Sequence, residues 1–253
     1  MKMKTTALSM KLGFILLTIL IGFNAIGQQL VTEVRELDLN AMTYDPSNPK
    51  LGKSSTLTYA DVEGTPFWSD KWNPAIIFFA NGSKAKINQA KLNLYSDEIY
   101  YLNSDGQELA VENEGITRLV FLSKNNLTQP IASFAKLMNH ITGVGTAFYQ
   151  VLSPGLYQLV LLQKQLVKTS PYDPIQAKTI SSFYTKKNYA IYNEGKISPL
   201  RDLDRISVLS ATPSNSLTID WLNEKKSKLK TEKEVTDYLE IVNLSYLKIG
   251  EKK

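Results

Sequence analysis

The sequence predicts an α+β protein, predominantly antiparallel β, with short helices packed late in the chain. Two observations predict it. From residue 66 onward, short runs rich in branched and aromatic side chains recur between tight-turn signals. Strands that follow strands without long intervening helices indicate an antiparallel meander, forming a curled sheet or incomplete barrel rather than a parallel α/β fold. Near Ser198-Pro199 the apolar spacing then changes from that of strands to that of helices.

Residues 1–27 read as a cleavable signal peptide. Lys2, Lys4 and Lys11 make a basic start without an acidic residue, and Leu12 to Phe23 is a mostly apolar run. Ala25 and Gly27 supply the small residues of a cleavage site, so Gln28 is the expected first mature residue. The apolar run is shorter than the roughly 20 residues of a membrane-spanning helix. No cysteine is present, which excludes an acyl-anchoring cysteine, disulfides, thiolate metal sites and a cysteine nucleophile. The expectation is an exported protein, periplasmic or extracellular, soluble after cleavage and without a membrane span in the mature chain. The full chain carries 29 basic and 24 acidic residues, net +5. Three of the lysines belong to the leader, leaving 26 against 24. That balance gives no reason to expect nucleic acid as a partner.

Residues 28–65 read as a poorly defined N-terminal arm, with 40–56 as a loop around Asp45-Pro46-Ser47-Asn48-Pro49. Residues 66–253 read as one β-rich domain. Its first strand is Ala75 to Ala80, and Asn81-Gly82 suits a type I′ hairpin turn, because both residues tolerate positive φ. Lys84 to Tyr95 returns, with Ile87, Leu92 and Leu94 as inward positions. Turns at Ser96-Asp97 and Asn103 to Gly106 separate strands at Glu98 to Leu102 and Glu108 to Val111, and Ile116 to Leu122 closes this series. Ile131 to Ile141 reads either as a helix or as loop and strand. Thr146 to Leu152 and Leu156 to Lys168 form a second hairpin across Ser153-Pro154-Gly155. Leu159 to Leu162 is apolar on both faces, as in a centrally buried strand. Phe183 to Thr185 and Tyr189 to Tyr192 read as a third pair, with Lys186-Lys187-Asn188 between them, and Asn193 to Lys196 turns the chain again.

Helices are expected from about residue 198. Leu203, Ile206 and Leu209 are three apart, and Leu217, Trp221 and Leu222 mark a second helix. Thr231-Glu232-Lys233-Glu234 has the form of a capping box. Val235, Tyr238, Leu239, Val242 and Tyr246 then make one apolar stripe suited to core packing.

The order of leader, Gly64-Thr65-Pro66-Phe67, Leu92 to Glu98, paired strands and Lys-rich helices resembles a diffuse group of uncharacterised secreted proteins of Bacteroidota-type bacteria. The resemblance covers most of the mature chain but rests on structural motifs, and it implies no activity. Group members often end the last helix on a Tyr-Asn pair, whereas Tyr246 is followed here by Leu247.

Residues able to carry chemistry are few. His140 is the only histidine, and no G-x-S-x-G accompanies it. Asp202 with Asp204, and Glu232 with Glu234, lie two apart, a spacing that does not bring side chains together on a helix. They suit helix starts instead. Asp105-Gly106 lacks the acidic spacing of a calcium loop, and Gly143-Val144-Gly145 is a fragment of a phosphate loop that reads as a turn. Neither a metal nor a cofactor is expected. The most suggestive cluster is Phe67 to Pro74, where Trp68 and Trp72 stand four apart beside polar side chains. They read either as an aromatic ledge for a sugar or peptide, or as plugs at the start of the sheet. The sequence favours a non-enzymatic binding or scaffolding module of the cell envelope, with an envelope protein, peptide or glycan as partner. The alternative is an exported hydrolase using dispersed carboxylates. Oligomeric state is not legible.

Overall fold

Alternation of buried side chains builds a sheet whose middle is apolar on both sides. The computed structural model describes residues 43–44, 62–112, 114–172 and 179–250, with the side chains of 62–246. The expected leader, with its expected cleavage site at Gly27 and Gln28, and most of the arm over 28–65 lie outside the described residues. Twelve strands are described: β1 (Thr43–Tyr44), β2 (Val62–Glu63), β3 (Asn73–Phe79), β4 (Lys84–Asn93), β5 (Glu98–Leu102), β6 (Glu108–Val111), β7 (Ile116–Leu122), β8 (Pro130–Met138), β9 (Thr146–Val151), β10 (Gln158–Thr169), β11 (Ser181–Asn193) and β12 (Lys196–Pro199). Three helices follow: α1 (Arg205–Ala211), α2 (Ser216–Lys225) and α3 (Glu232–Gly250). Residues 36–253 make up one compact unit.

The strands lie in the order β1-β6-β5-β4-β3-β7-β8-β9-β10-β11-β12, with β2 pairing β11 off this path. Every pairing is antiparallel except β2–β11. The fold is therefore α+β with a dominant antiparallel sheet. The sheet is open, and it is uncurled rather than curled: no pairing among the described residues joins its two ends. The first series does not close on itself either. Ile116 to Leu122 pairs with β3, not with the preceding strand β6. Two meanders thus grow in opposite directions from the β3–β7 pair.

One irregularity sets the inner face. Ala75 pairs with Ile87, but Asn73 pairs with Ala90, so β4 carries one extra residue. Such a bulge reverses the inside–outside alternation beyond it. Ala85 and Ile87 before it, and Ala90, Leu92 and Leu94 after it, consequently all enter the same core with Phe121, Phe134 and Phe148.

The remaining differences from expectation are local. Asn81-Gly82 does not form a type I′ turn, because only Gly82 has positive φ, at 82°. The Gly82 N–H donates to the Phe79 carbonyl, and Asn81 Oδ1 accepts from both Ser83 N and Ser83 Oγ. The two-residue turn with both φ positive occurs at Glu194 (45°) and Gly195 (85°), between Asn193 and Lys196. The stretch from Ile131 is strand, not helix, because β8 sits between β7 and β9, where Phe134 pairs with both Leu119 and Gln150. Lys186-Lys187-Asn188 is no turn: β11 is continuous and pairs with β10 without a register shift from Gln158↔Tyr192 to Thr169↔Ser181. Ile206 faces solvent, 84% exposed, while Val208 supplies the buried position of α1.

The helices pack on the β10–β11 face that carries Leu159 and Ile191, where Val208, Leu222, Val235, Tyr238, Leu239 and Val242 are buried. The opposite face carries Val160, Leu162 and Ala190 against Ala147 and Tyr149. Leu159 to Leu162 is therefore buried on both sides, as its composition requires. Asp204 caps α1 by accepting from Ser207 N at 2.8 Å. Asn215 caps α2 with a reciprocal bond from its own N–H to Thr218 Oγ1. The Thr231–Glu234 capping box forms: Glu234 N–H donates to Thr231 Oγ1, and Thr231 N–H donates to Glu234 Oε2.

Asn243 ties α3 to the β9–β10 loop. Its Oδ1 accepts from Tyr157 N at 2.8 Å, and its Nδ2 donates to the carbonyls of Tyr157 and Pro154. A Cβ at Gly155, whose φ is 116°, would collide with this amide. Asn243→Ala removes the partner of three backbone groups and is expected to cost about 2 kcal/mol in urea unfolding. Gly155→Ala is expected to destabilise as well, and less so when Asn243→Ala is already present.

The Glu234 carboxylate is held below its ordinary value of 4.5, chiefly by the Lys230 backbone N–H, with Thr231 adding to it. The folded state thus keeps it ionised at pH values where the unfolded chain protonates it. Its contribution is complete above about pH 5 and is lost as pH falls through the lower folded-state value. Glu234→Gln is expected to flatten the acid side of a stability–pH profile measured by thermal unfolding.

Candidate functional site

The two tryptophans do not form a common ledge. Trp68 N–H donates to the Leu92 carbonyl, which fixes the Phe67–Trp68 segment beside β4. The Trp68 ring, partly buried, stacks on Phe121 at 5.2 Å and meets Phe134 edge-on at 5.4 Å, packed against the inner core. Trp72 packs against Lys91, whose Nζ lies 4.5 Å from the Trp72 ring centre and 4.9 Å from that of Phe67. Lys91 and Leu92 are strand neighbours and point to opposite faces. Since Leu92 shares the core of Trp68, Trp72 lies on the other side of the sheet. Trp68 acts as a plug. The aromatic pair around Phe67 and Trp72 already holds the chain's own ammonium group, by the attraction of a cation to a ring face.

The outer cluster continues across β5 and β6. Phe67 meets Tyr100 edge-on at 5.7 Å, and Tyr100 Oη donates to Glu98 Oε2. Burial raises the Glu108 carboxyl above its ordinary value, and Lys91 opposes that rise. Lys91 is thereby a structural counter-charge on a largely aromatic face.

His140 has a structural partner. Its Nδ1 lies 2.7 Å from Tyr149 Oη, which also accepts from the His140 N–H and donates to the Met138 carbonyl. Burial lowers the histidine pKa and raises that of the tyrosine. This network closes the β8–β9 turn across Gly143 and Gly145, both of positive φ.

Four carboxylates are similarly committed. Asp97 Oδ1 accepts from Phe148 N and lies 3.4 Å from Lys164 Nζ. Glu232 Oε1 accepts from Tyr189 Oη at 2.6 Å, and that phenol is pushed up to about 12, mainly by burial and then by this bond. Asp204 and Glu234 cap helices. No group of three or more His, Asp or Glu side chains able to hold a metal occurs among the described residues. A groove of about 640 Å³ is lined by Arg205, Ile206, Asn223, Lys226, Lys228 and Lys230, with Asp204 its single acid. A second, of about 700 Å³, crosses the sheet past Arg118, Lys136 and Gln158 and contains no acid.

The feature sequence reading missed is the outer edge of β11. Ile180 O accepts from Ser170 N on the β10 side, whereas Tyr189 O accepts from Leu200 N on the β12 side. Backbone groups alternate along a strand, so residues 183, 185, 187 and 189 aim their N–H and C=O away from β10. β2 covers this edge at Ser181–Ser182, with Gly64 beside Phe183, and β12 covers it from Ala190 onward. Between them no strand among the described residues pairs with Thr185 or Lys187, and both side chains are exposed. The sequence carries no signal of this edge, and Lys186-Lys187-Asn188 reads there as a turn although β11 runs on unbroken.

No family model, no curated protein and no solved structure matches this chain.

The two tryptophans are expected to separate in stability measurements. Trp68→Ala is expected to cost about 3 kcal/mol, as loss of a large core ring does. Trp72→Ala removes one cation–ring contact and is expected to cost about 1 kcal/mol. Urea unfolding of the two variants checks the difference.

Proposed function

We propose that this chain is a non-enzymatic, exported binding module of the cell envelope that takes up an extended segment of a partner protein at the outer edge of β11. The gap that the described residues leave at Thr185 and Lys187, between the strands that cover either side, carries this reading. An unpaired stretch of strand edge offers backbone donors and acceptors to an added strand, and neighbouring side chains select it. The adjacent lysines, Lys186 and Lys187, are exposed and favour a segment with acidic side chains. They also discourage indiscriminate edge pairing, as lysines on open edges do. A hydrolytic site would instead need two carboxylates converging in a cleft. The grooves described hold one carboxylate, engaged in capping a helix.

Thr185→Pro tests the reading. It deletes an outward N–H while leaving the β10 ladder intact, a substitution edge strands tolerate. Native envelope proteins cross-linked through a photoreactive side chain at position 187 are expected to be captured by the parent chain. Capture should fall at least tenfold in Thr185→Pro and stay at the parent level in Thr185→Ala, which loses the same Thr185 hydroxyl bond to Gln165 but keeps the N–H, with both variants folded by circular dichroism. Undiminished capture by folded Thr185→Pro would overturn strand addition.

A further inference from the structure

The helical end carries a second surface, independent of the β11 edge. From Lys226 to Lys230 the side chains alternate: Ser227 and Leu229 are buried, at 8% and 0% exposed, while Lys226, Lys228 and Lys230 all face solvent. The three lysines border the 640 Å³ groove whose far side is Arg205 and Ile206 of α1. Ile206 is the most exposed large apolar side chain among the described residues, at 84%.

The acids near this groove are spent elsewhere. Glu224 lies 3.6 Å from Lys225, and Asp237 lies 2.7 Å from Lys233. The Asp204 carboxylate takes the Ser207 N–H, and the Glu234 carboxylate takes the Lys230 and Thr231 N–H groups. Among the described residues, Arg205, Lys226, Lys228 and Lys230 therefore keep their charge without an ion-pair partner. Arg205 is held in place by a 3.4 Å bond to Asn223 Oδ1.

Four cations against one groove-lining carboxylate, Asp204, around one projecting isoleucine match a surface that is anionic outside and apolar beneath. We propose that this end of the molecule docks on an anionic lipid bilayer, with Arg205, Lys226, Lys228 and Lys230 on the phosphate groups and Ile206 entering the acyl boundary. A soluble polyanion would use the cations and leave Ile206 idle. An interface between proteins would bury a larger apolar area than this one side chain provides. Each lysine near a charged bilayer contributes about fivefold in affinity, and the effect is screened by salt.

The test is vesicle co-sedimentation with the chain beginning at Gln28. Removing residues 1–27 takes away an apolar run that would itself bind lipid, and leaves the compact unit of residues 36–253 whole. Vesicles of phosphatidylglycerol in phosphatidylcholine are compared with phosphatidylcholine alone. Binding to the anionic vesicles is expected, and it should weaken as salt rises. The triple variant K226E/K228E/K230E should bind about 100-fold less tightly or more weakly still. Ile206→Asp should weaken binding while leaving its salt dependence in place. These positions are exposed, so circular dichroism melting should match the parent and confirm that each variant is folded. Equal binding to neutral vesicles, or an unaffected triple variant, would overturn the proposal. Binding to heparin or poly-uridylate that falls in the triple variant but ignores Ile206→Asp, without anionic-vesicle binding, would assign the patch to a soluble polyanion and also overturn it.

Discussion

The structure depends most on the long ladder between β10 and β11. Twelve successive residue pairs run without a shift, and β10 is buried on both faces where it carries Leu159 to Leu162. One face receives all three helices, and the other packs Val160 and Leu162 against Ala147 and Tyr149. A one-residue slip in this ladder would exchange these faces. Leu159 and Ile191 would then meet the side that expects Val160 and Ala190, and the helical stripe would lose its seat. The two-residue turn at Glu194-Gly195 fixes where β12 joins, and Asn243 fixes α3 from the far side.

Much of this fold was legible because the relevant signals are local. The capping box at Thr231–Glu234 is set by four residues and forms as read. Asn103 to Gly106 turns as expected, with Asn103 Oδ1 accepting from Asp105 N and Gln107 N. The inward set Ile87, Leu92 and Leu94 was also right, although it mixes odd and even positions. That change of parity is the trace of the β4 bulge, which a strict alternation would have forbidden. The features that escaped are set by distant partners. β8 is strand because β7 and β9 flank it, which overrides a helix-like spacing of apolar residues. Lys186-Lys187-Asn188 stays extended because twelve paired residues of β10 outweigh the local turn preference of three. Ile206 faces outward because α1 is only seven residues long and Val208 is its buried position.

The candidate surfaces were less legible, for a related reason. Trp68 and Trp72 stand out by composition, but their faces are decided by the strand next to them. Lys91 separates their roles by entering the Phe67–Trp72 pair from β4, nineteen positions after Trp72. An open strand edge has no residue signature, since it consists of backbone groups left over by the lengths of β2 and β12. The basic groove was visible only as a Lys-rich stretch. Its meaning comes from the burial of Ser227 and Leu229, which sorts the lysines to one side.

The departure of β7 from β6 to the flank of β3 has a consequence for how the chain reaches this state. Almost every other ladder joins strands adjacent in sequence, so most contacts close over short loops and cost little chain entropy. The β3–β7 pair is the seam where the two locally assembled meanders meet, and it brings together Phe79 and Ile116 across the whole first meander. Contacts of greater sequence separation form more slowly. Among the ladders longer than two residue pairs the β3–β7 ladder spans the most sequence, so by contact order it is the slowest of them to form.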